Sequence, residues 1–108
     1  MAPIFEVSTF TVRWKYHEPA TVKFDKMNMT IGRSSRNDLP ISDPFVSRVH
    51  AELKCERGQV LLSDAGSANG TFLNGQRIRV PMLLQPGDLI RMGETEIEYN
   101  SGSKTCSR

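Results

Sequence analysis

The sequence predicts an all-β fold, in which about eleven short strands form a two-sheet antiparallel β-sandwich. Apolar residues alternate with polar ones along most of the chain, which is the period-two pattern of half-buried strands. Turn signals rich in Gly, Pro and Asn separate these runs at short intervals. No segment longer than about ten residues carries the apolar stripe of an amphipathic helix. In a sandwich the strands form a scaffold, and the loops at one end carry the function.

The first half of the chain contains five candidate strands. Four of them show the alternating pattern, and they are residues 10–16, 22–24, 27–31 and 49–55. The fifth, Leu39-Pro40-Ile41, contains a proline, which cannot donate a backbone hydrogen bond. This short run therefore suits an edge position.

The second half contains five more candidate strands, separated by turns. Asn74-Gly75 is the strongest turn signal, because a two-residue hairpin needs positive φ at both positions. The candidate strands are residues 59–64, 71–73, 77–80, 89–92 and 95–99. Residues 1–99 are therefore predicted to form one domain, and residues 100–108, which lack an apolar pattern, a flexible C-terminal tail or linker.

Length and composition indicate one soluble globular domain. The chain has 108 residues, of which 38% are hydrophobic and 24% are charged. No apolar run approaches the ~20 residues of a membrane span, and the N-terminus lacks the basic and apolar regions of a signal peptide. The two cysteines, Cys55 and Cys106, are expected to be free thiols in a reducing compartment. We therefore expect a cytoplasmic protein, or a nuclear one in a eukaryote, with no membrane insertion.

Charge and residue spacing argue against several classes of function. The formal net charge of +2 is spread along the chain, whereas a nucleic-acid binder concentrates basic residues on one face. His17, His50, Cys55 and Cys106 lack the spacing of metal ligands. A nucleophilic Ser47 with His50 as base would lack the Gly-x-Ser-x-Gly elbow of hydrolases. The sequence thus predicts a binding domain, monomeric in isolation, that is not an enzyme and uses no metal or cofactor.

The first candidate functional loop spans residues 32–38. Arg33 directly follows Gly32, the last residue of a predicted strand, and so projects into the loop end of the sandwich. Its guanidinium is a rigid fork of donors that suits phosphate or carboxylate. Taken alone, this Gly-Arg pair is equally consistent with an arginine that is merely exposed to solvent.

The second candidate loop ends in Ser47-Arg48-Val49-His50, which places a hydroxyl, a guanidinium and an imidazole within four residues. If strand pairing begins near Arg48, His50 shares a face with Arg48, and Val49 faces the core. We expect His50 to hydrogen-bond the backbone of a neighbouring loop rather than to transfer protons. Phe45 is either an apolar peptide contact at the loop rim or an anchor over the core.

The third candidate loop covers residues 63–70. Gly66 and Gly70 permit left-handed backbone, and the side chain of Asn69 can hydrogen-bond its own backbone or another segment. Taken alone, this segment is a long turn.

Taken together and in this order, these elements resemble the forkhead-associated (FHA) domain family. The elements are Gly32-Arg33, Ser47-Arg48-Val49-His50, Asn69-Gly70 and Asn74-Gly75. Their spacings also match the family, with about a dozen residues from Gly-Arg to the serine and about twenty more to Asn-Gly. The resemblance is strong over residues 29–99, whereas residues 4–28 have the pattern of the opening strands but no family motif.

The resemblance implies recognition of phosphothreonine in short extended peptides, by one module of a larger protein in Ser/Thr kinase signalling. Arg33 would then bond the phosphate or the adjacent peptide backbone, and Ser47 would donate its hydroxyl to a phosphate oxygen. Arg48 would offer charge or a main-chain N–H at the same place. Asn69 would bond the peptide main chain beside the phosphothreonine.

The resemblance also implies three supporting residues. Gly32 would be architectural, and His50 would tie the second loop to its neighbour. Gly70 would let the chain pass close to the ligand.

The sequence departs from the family at Ala68, where a Thr or Ser commonly contacts the phosphate. Ser34, Arg36 and Ser67 are further candidate contacts, and Ser67 or Arg36 would compensate for the missing hydroxyl. The departure leaves an alternative open, namely a phosphate-independent interaction or oligomerisation module on the same fold.

Overall fold

The computed structural model describes residues 8–14, 17–24 and 26–100, which fold into eleven β-strands without an α-helix. The described residues thus include no helix long and apolar enough to cross a membrane. The strands are β1 (Ser8–Arg13), β2 (Ala20–Phe24), β3 (Asn28–Gly32), β4 (Leu39–Pro40), β5 (Ala51–Glu56), β6 (Gln59–Asp64), β7 (Phe72–Leu73), β8 (Gln76–Arg77), β9 (Met82–Leu83), β10 (Leu89–Met92) and β11 (Thr95–Asn100). They form a six-stranded sheet of order β2-β1-β11-β10-β7-β8 and a five-stranded sheet of order β4-β3-β5-β6-β9. The predicted two-sheet β-sandwich is confirmed.

The described strand pairs are antiparallel with one exception. The two-residue strand β4 lies parallel to β3, with Ile31 opposite Leu39 and Gly32 opposite Pro40. β4 is an edge strand, as its proline predicted, because Pro40 has no N–H to donate to a second neighbour.

The core lies between the two sheets, and the alternating residues of each strand fill it. In β5 the side chains of Ala51, Leu53 and Cys55 are buried, whereas those between them are partly or fully exposed. Phe10 of β1 packs against Tyr99 of β11 with ring centroids 5.2 Å apart. Shortening a buried leucine to alanine in such a core lowers the stability of the fold by about 2–5 kcal/mol. The strands therefore hold the connecting loops in fixed positions.

Two predicted strands in the first half of the chain have other ends than their apolar pattern indicates. β1 ends at Arg13, so Trp14 lies beyond it and packs partly buried against the core. Tyr16, which the pattern placed in the same strand, lies outside the described residues. Met27 is exposed and precedes β3. Apolar alternation therefore does not fix where a strand begins or ends.

The second half differs from the prediction mainly at β8, β9 and β11. β8 covers only Gln76–Arg77, and the edge strand β9 was not predicted, because a two-residue strand is defined by its partner rather than by a periodic pattern. β11 extends to Asn100, whose side-chain N–H donates to the Thr11 hydroxyl at 2.9 Å. Residues 101–108, the rest of the predicted tail, lie outside the described residues.

The prediction for Val49 and His50 is wrong. Val49 is 49% exposed, whereas His50 is completely buried. β5 begins only at Ala51, so the alternation of its side chains does not extend back through these two residues. His50 is buried because two loops close over its imidazole ring.

The free-thiol prediction is wrong for Cys55, which is disulfide-bonded and 3% exposed. Cys106 lies outside the described residues. The prediction followed from the usual redox state of a compartment, whereas pairing depends on which sulfur atoms the fold brings within reach.

Candidate functional site

Three loops meet at one end of the sandwich, and main-chain hydrogen bonds hold the first two side by side. They are the β3–β4 loop (residues 33–38), the β4–β5 loop (residues 41–50) and the β6–β7 loop (residues 65–71). The Arg33 N–H donates to the Ser47 carbonyl at 2.9 Å, and the Ser34 N–H donates to the Arg48 carbonyl at 3.2 Å. The candidate residues of the first two loops therefore share one surface.

Gly32, the last residue of β3, makes this close approach possible. A Cβ atom at this position would overlap the Arg48 carbonyl and lie 2.8 Å from the Asn37 side-chain nitrogen. Any larger residue would push the two loops apart. Asn37 locks them together, because its Nδ2 donates to the Ser34 carbonyl at 2.8 Å and to the Arg48 carbonyl at 2.6 Å.

The guanidinium of Arg33 is held at one end and open at the other. Its Nε–H donates to the Val46 carbonyl at 3.0 Å, which fixes the direction of the side chain. Among the described residues, nothing hydrogen-bonds its two terminal nitrogens. The exposed end of the fork can therefore bind an anion or a carbonyl.

The Ser47 hydroxyl connects the β4–β5 and β6–β7 loops. Its oxygen accepts a hydrogen bond from the Ala68 N–H at 3.1 Å, and its proton has no acceptor among the described residues. The hydroxyl is thus positioned by one bond and can donate another.

The imidazole of His50 bridges the same two loops from below. Its Nδ1 accepts from the Ser47 N–H at 3.0 Å, and its Nε2 lies 2.8 Å from the Gly70 carbonyl oxygen. Since a backbone N–H only donates, Nδ1 is an acceptor and Nε2 carries the proton. The expected hydrogen bond from His50 to a neighbouring loop is present.

Asn69 extends from the β6–β7 loop towards the β4–β5 loop. Its Nδ2 donates to the Phe45 carbonyl at 2.8 Å, while its Oδ1 has no partner in the described part of the chain. Gly70, which follows, has a φ of 92° and is buried under the side chain of Arg77. The positive φ favours glycine here, and Arg77, which packs against it, is a residue that the sequence did not single out.

Asp64 organises the β6–β7 loop from the end of β6. It accepts hydrogen bonds from the backbone N–H groups of Gly66 and Ser67 and from the hydroxyls of Ser67 and Thr71. Burial raises the pKa of Asp64, but the hydrogen bonds from Ser67 and Thr71 outweigh it and leave the pKa below its ordinary value. The carboxylate therefore stays charged and keeps the loop ordered.

Asp43 plays the same part in the β4–β5 loop. This residue is 5% exposed and accepts hydrogen bonds from the Phe45 N–H, the Glu94 N–H and the Thr95 hydroxyl. Asp43, Asp64 and Asn37 were not predicted as parts of the site. Their only sequence signal is the tendency of Asp and Asn in loops to bond nearby backbone, which does not identify a partner 51 residues away.

An open cleft of about 570 Å³ lies between the first two loops. It is lined by Thr30, Ser34, Arg36, Asn37, Ser47, Arg48 and Val49, and no carboxylate is among them. Arg33 and Asn69 do not line the cleft. They attach to the segment just before Ser47, through the carbonyls of Val46 and Phe45.

Ser67 and Arg36, the two candidates to replace the hydroxyl missing at position 68, have different surroundings in the structure. The Ser67 hydroxyl is engaged inside its own loop, where it donates to Asp64 and accepts from the Gly70 N–H at 2.9 Å. Arg36, in contrast, is exposed and lines the cleft. Arg36 is therefore better placed than Ser67 to reach a ligand in the cleft.

Proteins of known sequence match this chain over most of its length. An oxoglutarate dehydrogenase inhibitor of Corynebacterium glutamicum is 35% identical over 78 residues, which are 72% of this chain and 54% of that protein. The glycogen accumulation regulator GarA of Mycolicibacterium smegmatis is 32% identical over 81 residues, or 75% of this chain and 51% of that protein. The chain spans about half the length of these curated relatives.

Solved structures also match this chain over most of its length. The FhaA FHA domain, solved in complex with the intracellular domain of another protein, has a TM-score of 0.78 and 29% identity over 86% of this chain and 99% of its own. A chain from a study of phosphothreonine-dependent FHA domain interactions has a TM-score of 0.76 and 29% identity over 85% of this chain and 95% of its own.

The FHA domain family model matches residues 29–93, which contain all three loops of the site. This match covers more than half of the chain and starts where the motif resemblance becomes strong. The resemblance is confirmed, and the chain belongs to the FHA domain family.

Proposed function

We propose that this domain binds phosphothreonine in short extended peptides of partner proteins, and that it serves Ser/Thr kinase signalling as one module of a larger protein. One observation carries the proposal: Ser47, Arg36 and Arg48 line an open cleft that contains no carboxylate. A phosphothreonine carries about −1.5 to −2 charges near pH 7, and its oxygens accept several hydrogen bonds. Hydroxyl and guanidinium donors without an opposing acid suit that anion.

Each of the four principal residues is assigned a different contact with the phosphopeptide. Ser47 donates its free hydroxyl proton to a phosphate oxygen, and Arg48 adds charge or a main-chain N–H beside it. Arg33 directs its terminal nitrogens to the phosphate or to the adjacent peptide backbone. Asn69, whose Nδ2 is fixed on Phe45, uses Oδ1 to accept a peptide N–H. Each charge-assisted bond contributes about 1.5–3 kcal/mol, less where solvent reaches it, so the expected Kd is roughly micromolar.

Arg36 is assigned the phosphate contact that the missing hydroxyl at position 68 would otherwise make. Ser34 lines the same cleft and is a further candidate donor. Phe45 is 52% exposed, which favours a peptide contact over an anchor in the core. Its exposed ring is assigned to an apolar contact with the peptide.

The proposed activity is binding without catalysis. Both ring nitrogens of His50 are engaged in hydrogen bonds, so this residue has no lone pair with which to take a proton from the Ser47 hydroxyl. Two curated relatives are named as an inhibitor and a regulator, which supports the same conclusion. We place the domain in the cytoplasm as a monomer that binds no nucleic acid, with residues 1–99 in the recognition domain.

Titration with three sets of matched peptides tests the proposal. A phosphothreonine peptide library is compared with the same sequences carrying phosphoserine or unphosphorylated threonine, and binding is measured by calorimetry. We expect binding to phosphothreonine peptides only. Equal binding of unphosphorylated peptides would overturn the proposal.

The alternative, a phosphate-independent interaction or oligomerisation module, has one structural observation in its favour. Val80, Met82 and Leu83 are 63%, 39% and 42% exposed on or beside the edge strand β9, where apolar side chains and unpaired backbone groups are available to another chain. Concentration-dependent association in analytical ultracentrifugation, without peptide, would favour this alternative.

A further inference from the structure

Two arginines and an aromatic ring form a continuous row on the outer face of the six-stranded sheet. Arg77 of β8 lies opposite Phe72 of β7, and Phe72 lies opposite Arg91 of β10. Directly opposed residues in antiparallel strands share one face. Ile90 and Met92, the neighbours of Arg91, are buried, so this face points outward. We call Arg77, Phe72 and Arg91 the Arg77–Arg91 surface.

The guanidinium of Arg91 is fixed in a way that leaves its donors open. Its central carbon lies 4.6 Å from the centroid of the Phe72 ring. A planar guanidinium over an aromatic face is held by cation–π attraction, while its N–H groups point sideways and stay available. Such a fork matches the two oxygens of a carboxylate.

The charge of this surface is not neutralised from within. Neither Arg77 nor Arg91 has an ion pair among the described residues. The row continues across the sheet to Glu96, which lies opposite both Arg91 and Arg13. Arg13 in turn forms an ion pair with Glu98 at 2.8 Å. Glu96 is therefore the carboxylate of this row that borders the Arg77–Arg91 surface, and it lies on the side of Arg91 away from Arg77. The end of the row at Arg77 stays basic.

That basic end is continuous with the candidate site. A Cβ atom at Gly70 would lie 2.7 Å from Nε and 3.0 Å from Cζ of Arg77, so the guanidinium packs against the Gly70 backbone. Gly70 directly follows Asn69, the residue assigned to the peptide main chain. A peptide held by Asn69 thus has Arg77 beside it.

We propose that the Arg77–Arg91 surface binds an acidic side chain of the same phosphopeptide and thereby sets its sequence preference. This inference rests on the proposed function. Arg91 lies two strands from Arg77, which is about 10 Å at the usual strand spacing. An extended peptide spans about 3.3–3.6 Å per residue, so the preferred Asp or Glu lies within about four residues of the phosphothreonine. The surface adds a second, carboxylate-binding contact that the phosphate cleft cannot supply.

A glutamate scan tests the proposal directly. Glu and its neutral isostere Gln are placed in turn at each of the four positions on either side of the phosphothreonine, and Kd is measured by calorimetry. At one or two positions Glu is expected to bind about two- to fivefold more tightly than Gln, the range of an exposed ion pair. The advantage should shrink at high salt, because exposed charges are screened.

Variants of the domain locate the contact. Arg91→Gln should abolish the advantage of Glu and leave the affinity for the Gln peptide unchanged. Lys54→Gln removes an equal charge from the exposed side of the other sheet and should change neither value. Arg91→Glu should reverse the preference, so that Lys at the same position binds better than Gln. Since Arg91 does not pack on Gly70, these variants leave the Asn69 loop undisturbed.

Three results would overturn the inference. The first is that Glu is preferred over Gln at no position of the peptide. The second is that the preference persists in Arg91→Gln, and the third is that Arg91→Gln loses affinity equally for the Glu and Gln peptides. Phosphothreonine binding without a Glu preference removes this inference alone. Failure of every phosphothreonine peptide to bind removes the proposed function as well.

Discussion

The Nε2 atom of His50 lies 2.8 Å from the carbonyl oxygen of Gly70, and this buried hydrogen bond joins two loops that are 20 residues apart. The other ring nitrogen accepts the Ser47 N–H. One imidazole therefore fixes both the residue assigned to the phosphate and the loop assigned to the peptide backbone. The geometry of the site depends on a residue that no ligand can touch.

Replacing His50 with alanine is expected to destabilise the fold. The change leaves the Ser47 N–H and the Gly70 carbonyl without partners in the interior, at a cost of about 1–3 kcal/mol for each group. For a domain of this size, Tm should fall by at least about 4 °C in thermal unfolding followed by circular dichroism. His17→Ala, at an exposed histidine, is the control and should leave Tm nearly unchanged. An unaltered Tm in His50→Ala would contradict the bridging role.

Arg33→Ala is expected to weaken phosphothreonine peptide binding by about 2 kcal/mol or more, which is roughly a 30-fold rise in Kd. The reason is the loss of the guanidinium nitrogens that have no partner in the described structure. Calorimetric titration measures the change. Arg57→Ala, in the β5–β6 turn at the opposite end of β5, is the matched control. Similar Kd values for the two variants would refute the assignment of Arg33.

Ser47→Ala should weaken binding without unfolding the domain. The hydroxyl is only partly buried, and its one described bond is to the Ala68 N–H at the exposed edge of a loop. Loss of a hydrogen bond to a charged phosphate should raise Kd by about tenfold or more, while Tm changes by less than about 2 °C. Ser35→Ala, at an exposed serine of the β3–β4 loop, should change neither quantity. A large fall in Tm would instead mark Ser47 as a structural residue.

Ala68→Thr should strengthen binding and reduce the contribution of Arg36. The new hydroxyl would add a phosphate contact, worth about 1.5–3 kcal/mol at most and less with solvent exposure. In a double-mutant cycle, Arg36→Ala should therefore cost less affinity in the Ala68→Thr background than in the natural chain. Strictly additive effects would show that Arg36 does not replace the missing hydroxyl.

Asp64 should make stability depend on pH in acid. Its pKa in the folded state lies below the ordinary value of 3.8, chiefly because the hydrogen bonds from Ser67 and Thr71 outweigh burial, which acts in the opposite direction. Its carboxylate therefore adds stability above about pH 5, and this stability is lost as the pH falls through the folded-state pKa. Asp64→Asn should lower Tm at pH 7. Below about pH 5, the Tm of this variant should fall less steeply with decreasing pH than the Tm of the natural chain.

Asp38→Asn provides the comparison for Asp64. The Lys26 hydrogen bond also lowers the pKa of Asp38, but this residue is exposed, so solvent screens its contribution. We therefore expect Asp38→Asn to change the dependence of Tm on pH less than Asp64→Asn does. Parallel Tm curves for Asp64→Asn and the natural chain would contradict the role of Asp64 in the β6–β7 loop.

Local sequence patterns predicted the sandwich because burial on one face imposes a period of two on each strand. The patterns worked in β5 from Ala51 onward and failed at Val49, just before the strand begins. They also gave no sign of β9, whose two residues pair with β6 only because the fold brings them there. Strand existence is encoded locally, whereas strand ends depend on the partner strand.

The motif residues themselves were predicted in sequence order: Arg33, Ser47, Arg48 and Asn69. Which of their atoms are free was not predictable, because each is partly engaged by backbone groups of another loop. Arg33 uses Nε for Val46, and Asn69 uses Nδ2 for Phe45. Only the remaining donors and acceptors are available to a ligand.

The sequence by itself determined the fold class, the family and the order of the candidate ligand residues, since all three depend on periodicity and spacing along the chain. The tertiary structure alone decided that His50 is buried, that Asp43 and Asp64 hold the loops, and that Arg77 packs on Gly70. The physical reason is that hydrogen bonds and charge contacts act between atoms brought close by folding, whatever their separation in sequence.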